Sequence, residues 1–366
     1  MSSGISNNQN NGEEVALITA QNKLVGLLVI FLLLVITLQW HIGFLAYLFI
    51  TLLTLATLFV LVLALQVRFN FIRLGEHVRF GIAVYQGDSP TQPRPLATGD
   101  YPVLTMSDVS DVRAKFIADP FVVRDEGNWW MFSEVYNLDT KLGEIALAYS
   151  SDGYRWDYQQ IVLREPFHLS YPFVFKHEGA FYMIPESGND NSVWLYRATS
   201  FPTHWVRDTQ LLEGVHLDST LIQYEGRWWI FASDMTMGNL NVFYADDLRG
   251  PYQPHTMNPV VRDNKTFARP GGRIIIHDGK PIRFGQQDTP KYGLAVHALQ
   301  VTKLTPEDYS ENLLHDKPIL SGRGKGWNKA RMHHIDPIQM DDGAWRFIVD
   351  GGGGNKHYPL VDKLLR

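Results

Sequence analysis

The chain has 366 residues, 33 Lys and Arg against 38 Asp and Glu, a formal charge of −5 and no cysteine. A mildly acidic balance gives no electrostatic basis for nucleic-acid binding. The lack of cysteine excludes disulfides and thiol chemistry without fixing the compartment.

Residues 1–23 form a polar tail rich in Asn, Ser and Gly, without the basic start of a signal peptide, and are expected to be disordered. Leu24–Val67 is almost wholly apolar. As a single helix it would be about 66 Å long, roughly twice the hydrocarbon thickness of a bilayer. The expectation is therefore two transmembrane helices, roughly Leu24–Leu38 and Phe44–Val67, turning near Gln39–Gly43. Lys23 precedes them, and Arg68, Arg73 and Arg79 follow. The positive-inside rule then puts both ends of the hairpin, and all that follows, on the cytoplasmic side.

Residues 68–366 carry a repeat. Arg79–Tyr85 alternates like a strand, and the turn-rich stretch 86–100 follows it. The segment Ile117–Glu134 (IADPFVVRDEGNWWMFSE) has two apolar runs about an acidic Gly turn, the pattern of a tight hairpin. It recurs at Leu169–Glu186 and His216–Ser233, and more loosely at Ala268–Phe284 and His334–Asp350. The equivalent positions are Asp119, Tyr171, Asp218, Arg269 and Asp336, with spacings of 52, 47, 51 and 67 residues. Repeats of this length with several strands each point to a β-propeller, here with five blades starting at about 117. The early strand near 79–85 is expected to complete the last blade and close the ring, which removes an exposed edge. Gly351–Gly354 is expected to form a turn. The fold class is all-β: a five-bladed β-propeller preceded by a transmembrane helical hairpin.

If each repeat opens with its blade's innermost strand, the five equivalent residues ring one mouth of the channel. Glu134 and Glu186 close the first two repeats, and Asp234 follows the third. Arg269 offers a cation for an anionic ligand or a carboxylate partner. His168, His333 and His334 lie beside ring positions. Neighbours on a strand face opposite ways, so at most one of His333 and His334 faces the channel. Gln287 and Asp288 follow the fourth repeat. The expected ligand contacts are thus Glu134, His168, Tyr171, Asp234, Arg269, Gln287, Asp288, His334 and Asp336. Neither a metal nor a cofactor is expected.

The runs IADPFVV, LSYPFVFKHEGAFYMIPES, LDSTLIQYEGRWWIFASD, ARPGGRI and MHHIDP, with the lead-in GIAVYQGDSP, resemble the amino-terminal domain of glucosamine inositolphosphorylceramide transferases and their bacterial relatives, from about Arg79 to the carboxy terminus. That resemblance implies a five-bladed propeller similar to glycoside hydrolase family 43 and a role in handling glycans or glycolipids. By the family 43 pattern, Asp119 matches the general base. Tyr171 stands where a tuning Asp belongs, and Asp218 where the acid, a Glu, belongs. Asp119, Glu186 and Asp218 are the candidate catalytic carboxylates, a role implied by this resemblance, in which one carboxyl serves as acid and another as base. In the plant transferases a separate glycosyltransferase domain follows the propeller, so transferase chemistry is not expected of this chain itself. The expectation is a membrane-anchored propeller that acts on or binds a glycan, glycolipid head group or activated sugar. The alternative is a non-catalytic module that positions a glycosyltransferase or other partner at the membrane.

Overall fold

The computed structural model describes residues 23, 25–31, 33–34, 43–68, 75–99 and 101–357. These fall into two units, one ending at Gly75 and the other spanning Glu76–Lys356. Most of the expected polar tail and most of the turn near Gln39–Gly43 lie outside the described residues.

In the first unit, helix α1 (Phe44–Arg68) runs for 25 residues, and the described residues between 23 and 34 are also helical. An apolar crevice is lined by Leu27, Leu28 and Phe31 together with Thr54, Thr57, Leu58, Leu61 and Val62. Phe49 and Phe59 are among many large apolar side chains left exposed. The side chains of α1 are described only over 46–62. Among the described residues, no helix is long and apolar enough to cross a membrane.

The second unit is built from five sheets. Strands β1 (Gly75–Gly87) and β2 (Arg94–Pro95) come first. Blade one holds β3 (Ala114–Asp125), β4 (Asn128–Asn137), β5 (Leu142–Ser150) and β6 (Asp157–Leu163). Blade two holds β7 (Ser170–His177), β8 (Ala180–Glu186), β9 (Ser192–Ser200) and β10 (His204–Glu213). Blade three holds β11 (Leu217–Tyr224), β12 (Arg227–Ser233), β13 (Leu240–Ala245) and β14 (Gln253–Pro254). Blade four holds β15 (Ile275–His277), β16 (Lys280–Gln287), β17 (Ala295–Leu304) and β18 (Tyr309–Leu313), with β19 (Leu320–Ser321) also on β17. Blade five joins β20 (Ile335–Gln339) and β21 (Trp345–His357) to the start of the chain in the order β2-β1-β21-β20. Gly351–Gly354 is therefore strand, not the turn its composition suggests. The pairing along β21 outweighs the conformational freedom of its glycines.

Local chemistry explains the repeat. In the first four blades the two leading strands meet through two-residue loops, and an acidic residue and the following Gly both have positive φ. In blade one these are Glu126 (49°) and Gly127 (81°), between the paired residues Asp125 and Asn128. Such loops match the right-handed twist of the strands they join. Between blades, aromatic packing takes over: Phe132 of blade one stands edge-on to Trp205 of blade two at 5.4 Å. Burying one such side chain stabilises the fold by about 1.5–3 kcal/mol.

Two side chains fill the axis. Tyr171 is fully buried. Its hydroxyl lies 2.8 Å from Thr220 Oγ1 of blade three and accepts the Gly272 N–H ahead of blade four, also at 2.8 Å. Its ring meets Phe121 of blade one and His334 beside blade five edge-on. Arg273 donates to both oxygens of Asp336, at 2.6 and 3.3 Å, and to the carbonyls of Val174 and Val122. Each of these two residues therefore ties several blades together.

Candidate functional site at the axial mouth

The first three inner strands share a device that their sequences do not advertise. On β3, β7 and β11 the pairing slips by one residue just after Ala118, Ser170 and Leu217. The residues at these bulges, Asp119, Tyr171 and Asp218, have φ of 52°, 45° and 51°. Residues other than Gly seldom adopt this conformation, and it gathers at functional sites. A bulge re-aims the side chain it carries, and here it turns three equivalent positions toward the axis.

Asp218 is the most tightly held. Arg269 Nε donates to its Oδ2 at 2.6 Å, and Gln286 Nε2 donates to the same oxygen at 2.5 Å. Both ends of the ion pair are buried. Arg269 Nη2 also lies 3.9 Å from Glu186 Oε2, and that oxygen accepts the Asp218 N–H at 3.2 Å. Burial raises the affinity of Glu186 for a proton and the charge of Asp218 raises it further, against the pull of Arg269, so its pKa stands well above the usual range. Arg269 stacks over the Tyr292 ring at 5.2 Å.

Asp119 is held differently. Its backbone N–H donates to Asp350 Oδ2, and its Oδ1 lies 3.6 Å from His333 Nε2. Burial pushes its carboxyl pKa up. His333 opposes that shift, while Asp350, Glu134 and Asp218 add to it, and the net shift is well upward. Asp350 Oδ1 accepts from His333 Nδ1 at 2.7 Å and from the backbone N–H groups of His333 and His334. Burial alone would lower the His333 pKa, but Asp350 beside it outweighs burial and lifts it to about 9. Burial lowers that of His334 to about 4. The neutral His334 ring donates from Nε2 to the Pro120 carbonyl at 2.9 Å. Its Nδ1 is left as an acceptor 3.9 Å from Asp119 Oδ1.

Beside Asp119, Glu134 is buried and its Oε1 lies 3.2 Å from His168 Nε2. The Gly143 N–H donates to His168 Nδ1 and fixes the ring. Burial would lower the His168 pKa, but the bond to Glu134 raises it overall.

The mouth thus brings together Asp119, Glu134, His168, Glu186, Asp218, Arg269 and His334 from the candidates named above, and Asp288, which accepts the Gly293 N–H, lies within electrostatic reach of Arg269, His333 and Asp218. The mouth adds Gln286, Tyr292 and Asp350, and it holds His333 as well as His334, contrary to the expectation that at most one faces inward, because both precede β20 and strand alternation does not govern them. Tyr171 and Asp336, expected as ligand contacts, are instead spent on the axis. Both are fully buried, and Arg273 takes both oxygens of Asp336. Asp234 organises its own loop, accepting from Thr236 and Asn239. Gln287 pairs with His297 and the Thr289 carbonyl. Strand alternation accounts for the swap of Gln287 for Gln286, since one step along β16 reverses the face. Asp350 carries no local motif, because it acts from the last strand across the ring.

Asp119, His333 and Asp350 also place one polar atom each within 4.8 Å of one another, a spacing that a metal ion could bridge. The donor set argues against one. Asp350 Oδ1 already accepts three N–H groups.

Comparison with known proteins adds a family. Residues 76–352 match the family described as "Glucosamine inositolphosphorylceramide transferase 1, N-terminal". A rice relative (Oryza sativa subsp. japonica), glucosamine inositolphosphorylceramide transferase 1, is 36% identical over 295 residues, which cover 74% of this chain and 40% of the relative. The protein of the same name from Arabidopsis thaliana is 33% identical over 295 residues, covering 74% of this chain and 39% of that one. The chain thus spans about 40% of the length of these curated relatives. Among solved structures, an exo-β-1,3-galactanase from Clostridium thermocellum gives a TM-score of 0.47 at 17% identity, covering 60% of this chain and 54% of that one. A family 117 glycoside hydrolase from Zobellia galactanivorans gives 0.46 at 12% identity, covering 80% and 99%. Likeness at this level does not bear on chemistry.

Proposed function

The chain belongs to the family of amino-terminal domains of glucosamine inositolphosphorylceramide transferase 1, and from that membership we propose that it is a carbohydrate-recognising propeller. Its axial mouth holds a sugar or glycolipid head group. One observation carries this reading. Gln286 Oε1, Asp288 Oδ2 and His334 Nδ1 are buried acceptors with no hydrogen-bond partner among the described residues. Leaving a buried acceptor unpaired costs about 1–3 kcal/mol. These three atoms are sealed from solvent, so a polyhydroxyl ligand supplies their donors only through local opening of the mouth, while Arg269 and the charged His333 offer donors to its oxygens. Titration calorimetry of the full chain against a saccharide panel tests this. Binding that weakens in Gln286→Leu supports the reading, and no binding by folded protein overturns it.

Binding ranks ahead of bond cleavage because Asp218, at the position of the family 43 acid, is locked by Arg269 and Gln286. A free proton donor is what cleavage requires. The raised proton affinity of Glu186 favours a second reading, with Glu186 as acid and Asp119 as base. Sugar release that disappears in both Glu186→Gln and Asp119→Asn would establish it. As a binding module, the propeller would present its ligand to a glycosyltransferase partner or domain.

We also propose that the apolar segment 24–67 anchors the chain in a bilayer as a two-helix hairpin, with the propeller on the cytoplasmic side. The almost wholly apolar, uncharged run 24–67 of the sequence supports this, although no helix among the described residues is by itself long and apolar enough to cross. The chain has no cysteine, so Leu360→Cys makes a single reporter. Labelling of intact cells by an impermeant reagent would overturn the orientation.

A further inference from the structure

A row of half-buried rings borders the mouth, and of its members only the last, His168, is among the ligand contacts already named. Phe80 on β1 lies 4.8 Å from the His333 ring and 6.0 Å, edge-on, from Phe116. Phe116 on β3 stacks on Tyr136 of β4 at 5.6 Å. Tyr136 lies 6.3 Å from His168. None of the four is fully buried. The ledge starts at the His333–Asp119 cluster and ends at the His168–Glu134 pair, so a polar group capable of hydrogen bonding stands at each end. The far end is closely built. A Cβ on Gly143 would come within 2.7 Å of His168 Cε1 and 2.9 Å of Glu134 Oε1. Only glycine lets the backbone N–H reach His168.

We infer that this ledge is a second saccharide subsite, so the ligand is at least a disaccharide. One ring sits in the axial mouth and the next packs against the side of the Phe116–Tyr136 stack, with hydroxyls toward His168 and Glu134. This rests on the carbohydrate reading of the mouth. A sugar ring presents an apolar face bounded by hydroxyls, which matches an aromatic surface flanked by polar groups. A purely apolar partner would leave the His168–Glu134 end unmatched. The exposed Lys115 ammonium lies 5.0 Å from the Tyr136 centroid. An exposed contact of that kind is weak enough to be exchanged for a sugar ring.

The test uses the full chain in lipid nanodiscs, with galactose, mannose and glucosamine as single sugars. Lactose, mannobiose and chitobiose are the corresponding disaccharides, and octyl glucoside is the apolar control. Calorimetry gives affinities, and saturation transfer from aromatic protons reports contact with the second ring. The expected result is a disaccharide preference of about five-fold or more. It should fall toward one in Phe116→Ala and persist in Tyr136→Phe, which keeps the ring. Equal affinity for single sugars and disaccharides overturns the subsite and leaves the axial reading intact. Tighter binding of octyl glucoside than of any disaccharide, lost in Phe116→Ala, assigns the ledge to acyl chains and also overturns it. No saccharide binding by folded protein overturns both readings.

Discussion

Arg269→Leu isolates the electrostatics of the mouth. Arg269 Nε sits 2.6 Å from Asp218 Oδ2, with side chains only 9% and 2% exposed. Removing the cation leaves two buried carboxylates, Asp218 and Glu186, without their counter-charge. Breaking a buried pair costs about 3–5 kcal/mol, against about 0–1 for an exposed one. The propeller unit has about 280 residues, and the unfolding entropy is about 2.1 cal/mol/K per residue, so the melting temperature should fall by roughly 5–8 °C. The sign of the pH effect follows from Glu186. Its folded pKa is raised, so the stability linked to its proton is full below its unfolded value and is lost as pH rises through the folded one. Without Arg269 that loss deepens, and the variant should suffer more at pH 8 than at pH 5. The assay is denaturant unfolding of the full chain, followed by tryptophan fluorescence at both pH values. Asp218→Asn combined with Arg269→Leu should recover part of the loss, giving a positive coupling. A loss below about 1 kcal/mol, or one independent of pH, would refute the reasoning.

Further outcomes are expected elsewhere. His333, raised to about 9, contributes stability that is full below about 6.5 and lost as pH climbs through 9; Asp350→Asn should erase that alkaline limb in pH-dependent melting. His334, held near 4, contributes stability present above 6.5 and lost as pH falls through 4, so the wild type should also weaken along an acid limb that His334→Phe lacks. Tyr171→Phe should cost about 1–3 kcal/mol by stranding the Gly272 N–H, while any saccharide affinity stays within two-fold, because the lost hydroxyl faces Thr220 and Gly272; calorimetry separates the two effects. Gly272→Ala places a Cβ 1.8 Å from the Ile335 carbonyl, and circular dichroism should find the propeller unfolded or strongly destabilised.

The architecture was legible because each blade announces itself locally. A tight acidic-Gly hairpin between two apolar runs needs no distant partner to be recognised, and Glu126-Gly127 and its counterparts did form those loops. The site was legible only in part. Asp119, Asp218 and Arg269 share one mouth because they hold equivalent positions in the repeat, and Glu186 joins them from the close of the second repeat. The same equivalence misled at Tyr171 and Asp336, where repeat position was right but depth along the axis was not. Depth depends on contacts between residues such as Arg273 and Asp336, 63 positions apart, or Val122 and Asp336, 214 apart. Asp350 was invisible for a related reason, since its partners lie in two segments far apart in the chain, Asp119 and His333–His334.

Blade five is stitched from both termini of the propeller, and this makes the mouth a sensor of ring closure. Asp350 sits on β21, the last strand of the propeller, yet it receives the Asp119 backbone from the first full blade and fixes His333 and His334. Until that strand docks beside β1, four blades can be complete while the pocket has neither its charged histidine nor its keystone carboxylate. A nascent, nicked or truncated ring would therefore not offer a weakened version of the site; it would offer none. Any ligand that binds here selects closed propellers alone, and loss of binding would report an opened seam before bulk unfolding is visible.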